Sequence, residues 1–516
     1  MSPEKYRLLL GPYTPTLILH GGAGNVTRQN LPPPLYEQYE SSLLKYLDSA
    51  RQLLNSGSSA LDAAVHAVSL MEDDPLFNCG RGSVFTEKGT IEMEASVMVA
   101  SVDPGRRGRD DASIAAESKR GASVSLIKGT RHPIQLAREV LLVRPNGKAS
   151  SMHCQLSGPD VEEWGWKERG LERKDHAWFW TERRWAEHLR DLQHNHLQDA
   201  NSTDSALAHD ERSPSLEDHK DNFLPSQGTV GAVCLDSWGD IAVATSTGGL
   251  TNKKAGRIGD TPTLGAGFWA ESWEESVVHA DTRLKERTFM VNPRADMLSL
   301  GGRLVKAVEA GFGGLLHECL PHMANAADHH LRWHSRNVGV PATIYASVAE
   351  SIDTQPRPQS GSGMVYERTA TPAKHKPIIR RRAVALSGTG NGDTFLRTAA
   401  CSTTAAICRF STHSPTSSPT SLAKAVHMTA GPEGEMQRSA GDRWKVTGEG
   451  QAGMIGIEVC SSVCDAGEDT AGCVTLKEPR RTGNIVFGFN CGGLWRAWID
   501  DVTGKGKVMV FKEDYR

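Results

Sequence analysis

Apolar positions fall into short alternating or continuous runs of strand type and longer runs at helical spacing. Thr229-Val230-Gly231-Ala232-Val233-Cys234-Leu235 and Ile241-Ala242-Val243-Ala244-Thr245-Ser246-Thr247 are compact, apolar and rich in β-branched residues, as buried strands are. Asp236-Ser237-Trp238-Gly239-Asp240 between them carries turn residues, which predicts a β-hairpin. Thr229 and Thr247 lie equally far from its centre at Trp238. Antiparallel pairing then brings their hydroxyls together at the open end. Leu35 to Leu54 and Ala60 to Leu70 are helical, with Asn55-Ser56-Gly57 as a stop and Ser58 as a candidate N-cap. Leu17 to His20 is a strand expected to enter a turn at Gly21-Gly22-Ala23-Gly24. Glu87-Lys88-Gly89 reads as the turn of a second hairpin. Ala122 to Ile127 is a strand, His132 to Arg138 opens a helix at Pro133, and Trp178 to Leu192 reads as one helix. The last strands are Gly453 to Val459, Ile485 to Asn490 and Gly493 to Ala497.

Polar stretches separate these elements. Asp103 to Lys119 is a polar insert, and residues 193–227, low in aromatics, read as a disordered linker. A long stretch after Ala270 has helical spacing from Gly302 to His334, then a Pro/Ser/Gly-rich and finally basic tail. A further polar insert spans Ser411 to Glu449. With 516 residues, length alone allows several domains. The net charge of −3 gives no electrostatic case for nucleic acid or anionic membrane as a partner. No apolar run reaches the ~18 residues of a membrane span. The amino-terminal apolar run is too short for a secretion signal. Reduced cysteines and a cytoplasmic location are therefore the expectation. Cys460, Cys464 and Cys473 cluster without paired C-x2-C spacing or a fourth ligand, which makes a zinc site a weak reading.

The chemistry gathers near the first hairpin. Arg257 and Asp260 place a cation and a carboxylate within four residues, a pair suited to a zwitterion but equally to a surface ion pair. Asn78, between Phe77 and Cys79-Gly80-Arg81-Gly82, sits in an irregular bend where asparagine is ordinarily a turn residue. Ser387-Gly388-Thr389-Gly390-Asn391-Gly392-Asp393 lacks the spacing of a dinucleotide fingerprint, yet a glycine-rich bend exposes N–H groups that can bind an anion.

GTVGAV, TSTGGLTNK and GRIGD, with HGGAG, PLFNCGRGS and GTGNGD around them, resemble the plant-type L-asparaginase/isoaspartyl peptidase family of N-terminal-nucleophile hydrolases. The resemblance implies an α+β fold, a four-layer αββα sandwich with large inserts. It implies self-cleavage between Gly228 and Thr229, so that residues 1–228 and 229–516 form two parts of one hydrolase domain. Residues 271–382, 411–449 and 461–482 are inserts relative to the family pattern. Thr229 becomes the nucleophile, Thr247 its supporting hydroxyl, and Asn78 a neighbour of both. Arg257, Ile258, Gly259 and Asp260 bind the substrate's α-carboxylate and α-amine. Thr389 and Gly390 form the oxyanion hole, and Asn391 and Gly392 complete the substrate contacts. Catalysis needs no cofactor. A structural sodium would sit on backbone carbonyls of Met71, Glu72, Asp74, Phe77, Cys79 and Arg81. Cleaved αβ heterodimers pair into a dimer, and the substrates are L-asparagine and β-aspartyl peptides. Where the family usually reads MDASIMDG, this chain has Met93-Glu94-Ala95-Ser96-Val97-Met98-Val99-Ala100.

The chemistry of an N-terminal threonine fits this arrangement. Its α-amine, with a pKa of ~8, acts as general base for its own hydroxyl, and exists only once the preceding bond is cut. Glycosylasparaginase shares TGNGD but usually has Asp before the nucleophile, and the threonine aspartases usually lack TST and GRxGD. An uncleaved, non-catalytic binding protein is the reading from another class.

Overall fold

A computed structural model describes residues 12–103, 120–143, 153–203, 228–277, 378–411, 420–462 and 481–515. All of them belong to one compact unit, Met1–Ala280 with Lys376–Arg516; a second unit, Asp281–His375, lies outside the described residues.

The elements that position the site begin with strand β1 (Thr16–Gly24) and helices α1 (Pro33–Asn55) and α2 (Ala60–Glu72). Ser59, one residue later than expected, caps α2 by accepting the Asp62 N–H at 3.1 Å. Then come β2 (Met93–Ser101), β3 (Arg120–Ile127), α3 (Pro133–Leu142), β4 (Gln155–Ser157), α4 (Pro159–Glu168), α5 (His176–Phe179) and α6 (Glu182–Thr203). The predicted hairpin is β5 (Val230–Leu235) and β6 (Asp240–Thr247), pairing Val230 with Ser246 and Leu235 with Ile241. This register extrapolates to Thr229 opposite Thr247, as the sequence requires. After β7 (Phe268–Val277) and β8 (Ile378–Gly390) come α7 (Gly392–Thr398), α8 (Ala400–Phe410), α9 (Leu422–Ala430) and α10 (Glu435–Ala440). The chain ends in β9 (Ala452–Ser462), β10 (Asn484–Phe489), β11 (Gly493–Ile499) and β12 (Gly506–Met509).

One sheet has the order β12-β11-β1-β5-β6-β2-β3-β4; a second has the order β10-β9-β8-β7. Side chains alternate across β1. Leu17 and Leu19 face a core with Leu43, Leu47, Ala64 and Val68 of α1 and α2, while Ile18 joins Phe268, Ala385 and Ile455 of the second sheet. The outer face of that sheet, with Val384, Leu386 and Met454, packs on Cys401, Ala405, Leu422 and Val426 of α8 and α9. Strands buried on both faces explain why the hairpin reads as continuous apolar runs.

Several sequence expectations change. Gly21 to Gly24 do not turn; they continue β1, because a Cβ at Gly21 would stand 2.7 Å from the Phe77 ring. Glycine here serves close approach. Glu87-Lys88-Gly89 is a turn, closed by Gly89 N–H on the Thr86 carbonyl at 2.9 Å, but no ladder leads into it; Thr86 bridges Lys253 instead. The helix expected over 178–192 breaks at Trp180-Thr181 into α5 and α6. Phe179, Trp178 and Trp185 pack as expected, whereas Trp180 is 40% exposed. The linker expected from Gln193 is helical through Thr203, and residues 204–227 lie outside the described residues. Residues 422–440 are not a polar insert: α9 and α10 bury Leu422, Val426, Ala430, Met436 and Ala440. The ends of the other expected inserts are strand too, in β7 and β8 for 271–382 and in β9 for 461–482. Their interiors lie outside the described residues, as do Cys464, Cys473, most of the 103–119 insert and the 302–334 stretch.

Candidate active site

The two sheets bring four segments together around Thr229: the ends of β6 and β8, the bend after α2, and the loop from Gly248 to Gly267. Thr229 is buried, with its Oγ1 3.2 Å from Oγ1 of Thr261. Thr261 was not singled out in the sequence, where nothing but its place after Asp260 marks it. The Thr247 hydroxyl lies across the strand pair and accepts the Gly249 N–H at 3.0 Å. Asn78 locks the bend to this strand end. Its Nδ2 donates to the Gly249 carbonyl at 2.8 Å, its Oδ1 accepts from Val84 at 3.1 Å, and its carbonyl accepts from Gly248 at 2.9 Å.

Gly228 lies against the end of β8. A Cβ there would fall 2.6 Å from Thr389 Oγ1 and 3.2 Å from the Gly390 amide nitrogen. The Ala23 N–H of β1 donates to Thr389 Oγ1 at 3.1 Å, so the first strand's glycine run fixes the Thr389 side chain. Asn391 N-caps α7 through its Oδ1, which accepts the Thr394 N–H at 3.0 Å; this engages the Asn391 side chain within the protein.

Arg257, Asp260 and Gly392 converge. A Cβ on Gly392 would lie 2.5 Å from Asp260 Oδ1 and 3.0 Å from an Arg257 terminal nitrogen. Arg257 also donates to Asp393 at 3.0 Å, a solvent-facing carboxylate on the first turn of α7. Ile258 is 45% exposed and Gly259 is buried. Two acids hold the loop by its backbone: Glu92 accepts from Gly256 at 2.7 Å and Glu94 from Gly259 at 2.8 Å. Glu94, standing where the family pattern has Asp, thus helps place the loop that carries Arg257 and Asp260. Burial raises its pKa, opposed by Lys253 and the Gly259 hydrogen bond. Burial pushes Asp260 up to about 7, reinforced by Glu94 and opposed by Arg257. Beside Thr229, His20 Nε2 meets Ser387 Oγ at 2.7 Å, which in turn lies 3.0 Å from Thr245 Oγ1. All three are fully buried, and burial lowers the His20 pKa to about 3, so its imidazole is neutral. Sequence reasoning missed this cluster.

The Thr229 and Thr389 hydroxyls, the Gly390 amide at a strand end and the Arg257–Asp260 cation–carboxylate pair together have the chemistry needed for attack on an amide attached to a zwitterion. The comparisons with known proteins agree. The family model described as "Asparaginase" matches residues 13–278. A protein from Dictyostelium discoideum called putative isoaspartyl peptidase/L-asparaginase is 36% identical, over 49% of this chain and 70% of its own length. The isoaspartyl peptidase of Salmonella typhimurium is 31% identical over 60% of this chain and 90% of its own length. An Arabidopsis thaliana protein, probable isoaspartyl peptidase/L-asparaginase 2, is 34% identical over 50% of this chain and 72% of its own. The site defines an amidohydrolase class, and the chain belongs to the asparaginase family.

Proposed function

We propose that this chain cuts itself between Gly228 and Thr229 and then hydrolyses the side-chain amide of L-asparagine, the β-aspartyl bond of isoaspartyl peptides, or both, releasing L-aspartate. The observation that carries this reading is the convergence of Thr229, the Thr389–Gly390 strand end and the Arg257–Asp260 pair from separate segments. Thr229 Oγ1 attacks the amide carbonyl while its α-amine takes the proton. The Gly390 N–H and Thr389 hydroxyl stabilise the oxyanion. The amine returns the proton to the leaving nitrogen, and water then hydrolyses the β-aspartyl ester. Arg257 holds the substrate α-carboxylate; Asp260 and the Gly392 carbonyl hold its ammonium.

In this reading residues 1–228 and 229–516 are two parts of one hydrolase domain. The three successive cores, helices on sheet, sheet on sheet and sheet on helices, support the αββα sandwich. The bend after α2 suits a structural sodium. Gly80 and Gly82 have φ of +47° and +117°, and a Cβ at either would strike the Glu72 carbonyl or those of Pro75 and Phe77, so oxygens crowd into the bend. Carbonyls of Met71, Glu72, Asp74, Phe77, Cys79 and Arg81 would hold the ion, which supplies loop rigidity only. Pairing of two cleaved molecules and a cytoplasmic location complete the reading. Among the described residues the cysteines are free, which favours a reducing compartment, and no helix is long and apolar enough to cross a membrane.

The test is side-by-side incubation with L-asparagine, a β-aspartyl dipeptide and glycosylated asparagine, with denaturing electrophoresis of the same sample. Aspartate release from either of the first two, together with bands for residues 1–228 and 229–516, is expected. Turnover of glycosylated asparagine alone would favour the glycosylasparaginase alternative. A permanent single band, the same in Thr229→Ala, would sink the hydrolase reading.

A further inference from the structure

The hydroxyl in contact with the nucleophile is that of Thr261, at 3.2 Å, and this residue carries no role in the reading above. Thr261 is fully buried and rigidly placed. The carbonyl of the preceding Asp260 accepts both the Thr263 N–H at 3.0 Å and the Gly267 N–H at 3.1 Å, closing a tight loop around it. A Cβ on Gly267 would stand 3.0 Å from the Thr261 Cα, so the chain packs directly onto its backbone. One dipeptide, Asp260-Thr261, therefore contributes a carboxylate to the substrate clamp and a hydroxyl to the nucleophile.

We propose that Thr261 is a positioning residue for Thr229, donating its hydroxyl hydrogen to Thr229 Oγ1 and so fixing the Thr229 side chain for both reactions. A threonine hydroxyl has one hydrogen to give and two lone pairs. In both reactions one lone pair of Thr229 Oγ1 must face the carbonyl carbon, and in substrate turnover its hydrogen must also lie toward the freed α-amine. A donor on the second lone pair meets both demands; an acceptor in the same place would draw the hydrogen away from the nitrogen. In self-cleavage Thr229 Oγ1 bonds to the Gly228 carbonyl carbon, the C–N bond breaks, and the hydroxyl proton passes to the freed nitrogen. Water then splits the ester into the Gly228 carboxylate and the restored hydroxyl. In substrate turnover the same oxygen attacks the amide and the α-amine carries the proton to the leaving group. Thr261 holds the oxygen throughout and exchanges no atoms.

This inference rests on the proposed function for its second half but not for its first, because cleavage of the full-length chain needs no substrate. The experiment compares Thr261→Val, which keeps the shape and removes the hydroxyl, with Thr261→Ser, which keeps the hydroxyl. Losing one oriented hydrogen bond should slow self-cleavage and lower kcat by about tenfold to a hundredfold in the valine variant, with KM within about threefold of wild type. The serine variant should recover both rates to within about threefold of wild type. Thermal melting of each variant reads the packing separately. A valine variant with wild-type cleavage and kcat overturns the proposal. So do valine and serine variants impaired alike, which would place the effect in the methyl group's packing. If wild type cleaves itself but turns over none of the three substrates, the function is wrong while Thr261 is still judged by the cleavage rates. A wild-type chain that stays whole and hydrolyses nothing overturns both.

Discussion

At the scale of single residues, the site sets charge against burial. In the proposed mechanism Asp260 has to be ionised to receive an ammonium group, yet burial and the nearby Glu94 push its pKa up to about 7. The empty pocket is therefore largely protonated at Asp260 below pH 7. kcat/KM should rise as pH increases through about 7, and Glu94→Gln, which removes a facing carboxylate, should move that limb to lower pH. Arg257, Lys253, Asp393 and Glu92 also face this group of acids and stay in place in the variant. A pH–rate profile unchanged by Glu94→Gln would detach Glu94 from the clamp. The same raised pKa has a stability cost with a defined sign. The folded state binds the Asp260 proton more tightly than the unfolded chain does. Stability is thus lost as pH rises from about 4 to about 7, by up to about 4 kcal/mol. Asp260→Asn should melt higher than wild type at pH 8 and show little gain at pH 4. Arg257→Ala should leave self-cleavage intact and raise KM for asparagine by at least about tenfold, since it removes a charge-assisted contact rather than the nucleophile; wild-type kinetics in that variant would dissolve the clamp.

At the scale of elements, the residues that pair by pattern were legible and those that meet through packing were not. The β5–β6 hairpin, its register and the Thr229–Thr247 pairing follow from symmetric apolar runs about Trp238. The glycines of β1 misled because glycine serves both turning and close approach, and the strand alone does not say that Phe77 comes across it. Helices α9 and α10 hid in a polar window because their only large buried side chains are Leu422, Val426 and Met436, the other buried positions being alanine or threonine. Thr261, and the His20–Ser387–Thr245 cluster, depend on contacts between residues 32 to 367 positions apart, for which a single sequence has no periodic signature. The β1 packing makes its own prediction. Gly21→Ala forces a methyl group within 2.7 Å of the Phe77 ring, beside Asn78. It should lower stability by about 1–3 kcal/mol in denaturant titration and reduce activity more than that loss explains.

At the scale of the whole molecule, the longest expected insert, within 271–382, attaches far from the chemistry. Val277 and Ile378 face each other at the end of the β7–β8 pair, nine residues along from the Phe268 end that lies by the site. That is about 30 Å of strand. Replacing residues 278–377 with an Asn-Gly turn should leave the melting temperature near that of the full chain and kcat/KM within about twofold of it; loss of activity in a folded deletion variant would assign that segment a part in catalysis.

The strand order of the large sheet reaches further than its role as scaffold. β1 and β2 to β4 precede Gly228, whereas β5, β6, β11 and β12 follow it, and the order interleaves them so that β5 and β6 lie between β1 and β2. Neither half holds an uninterrupted run of its own strands across the centre. The halves are mutual templates: each completes hydrogen bonding that the other leaves open. Two separate genes encoding residues 1–228 and 229–516 should complement each other when co-expressed or refolded together, and each product alone should aggregate.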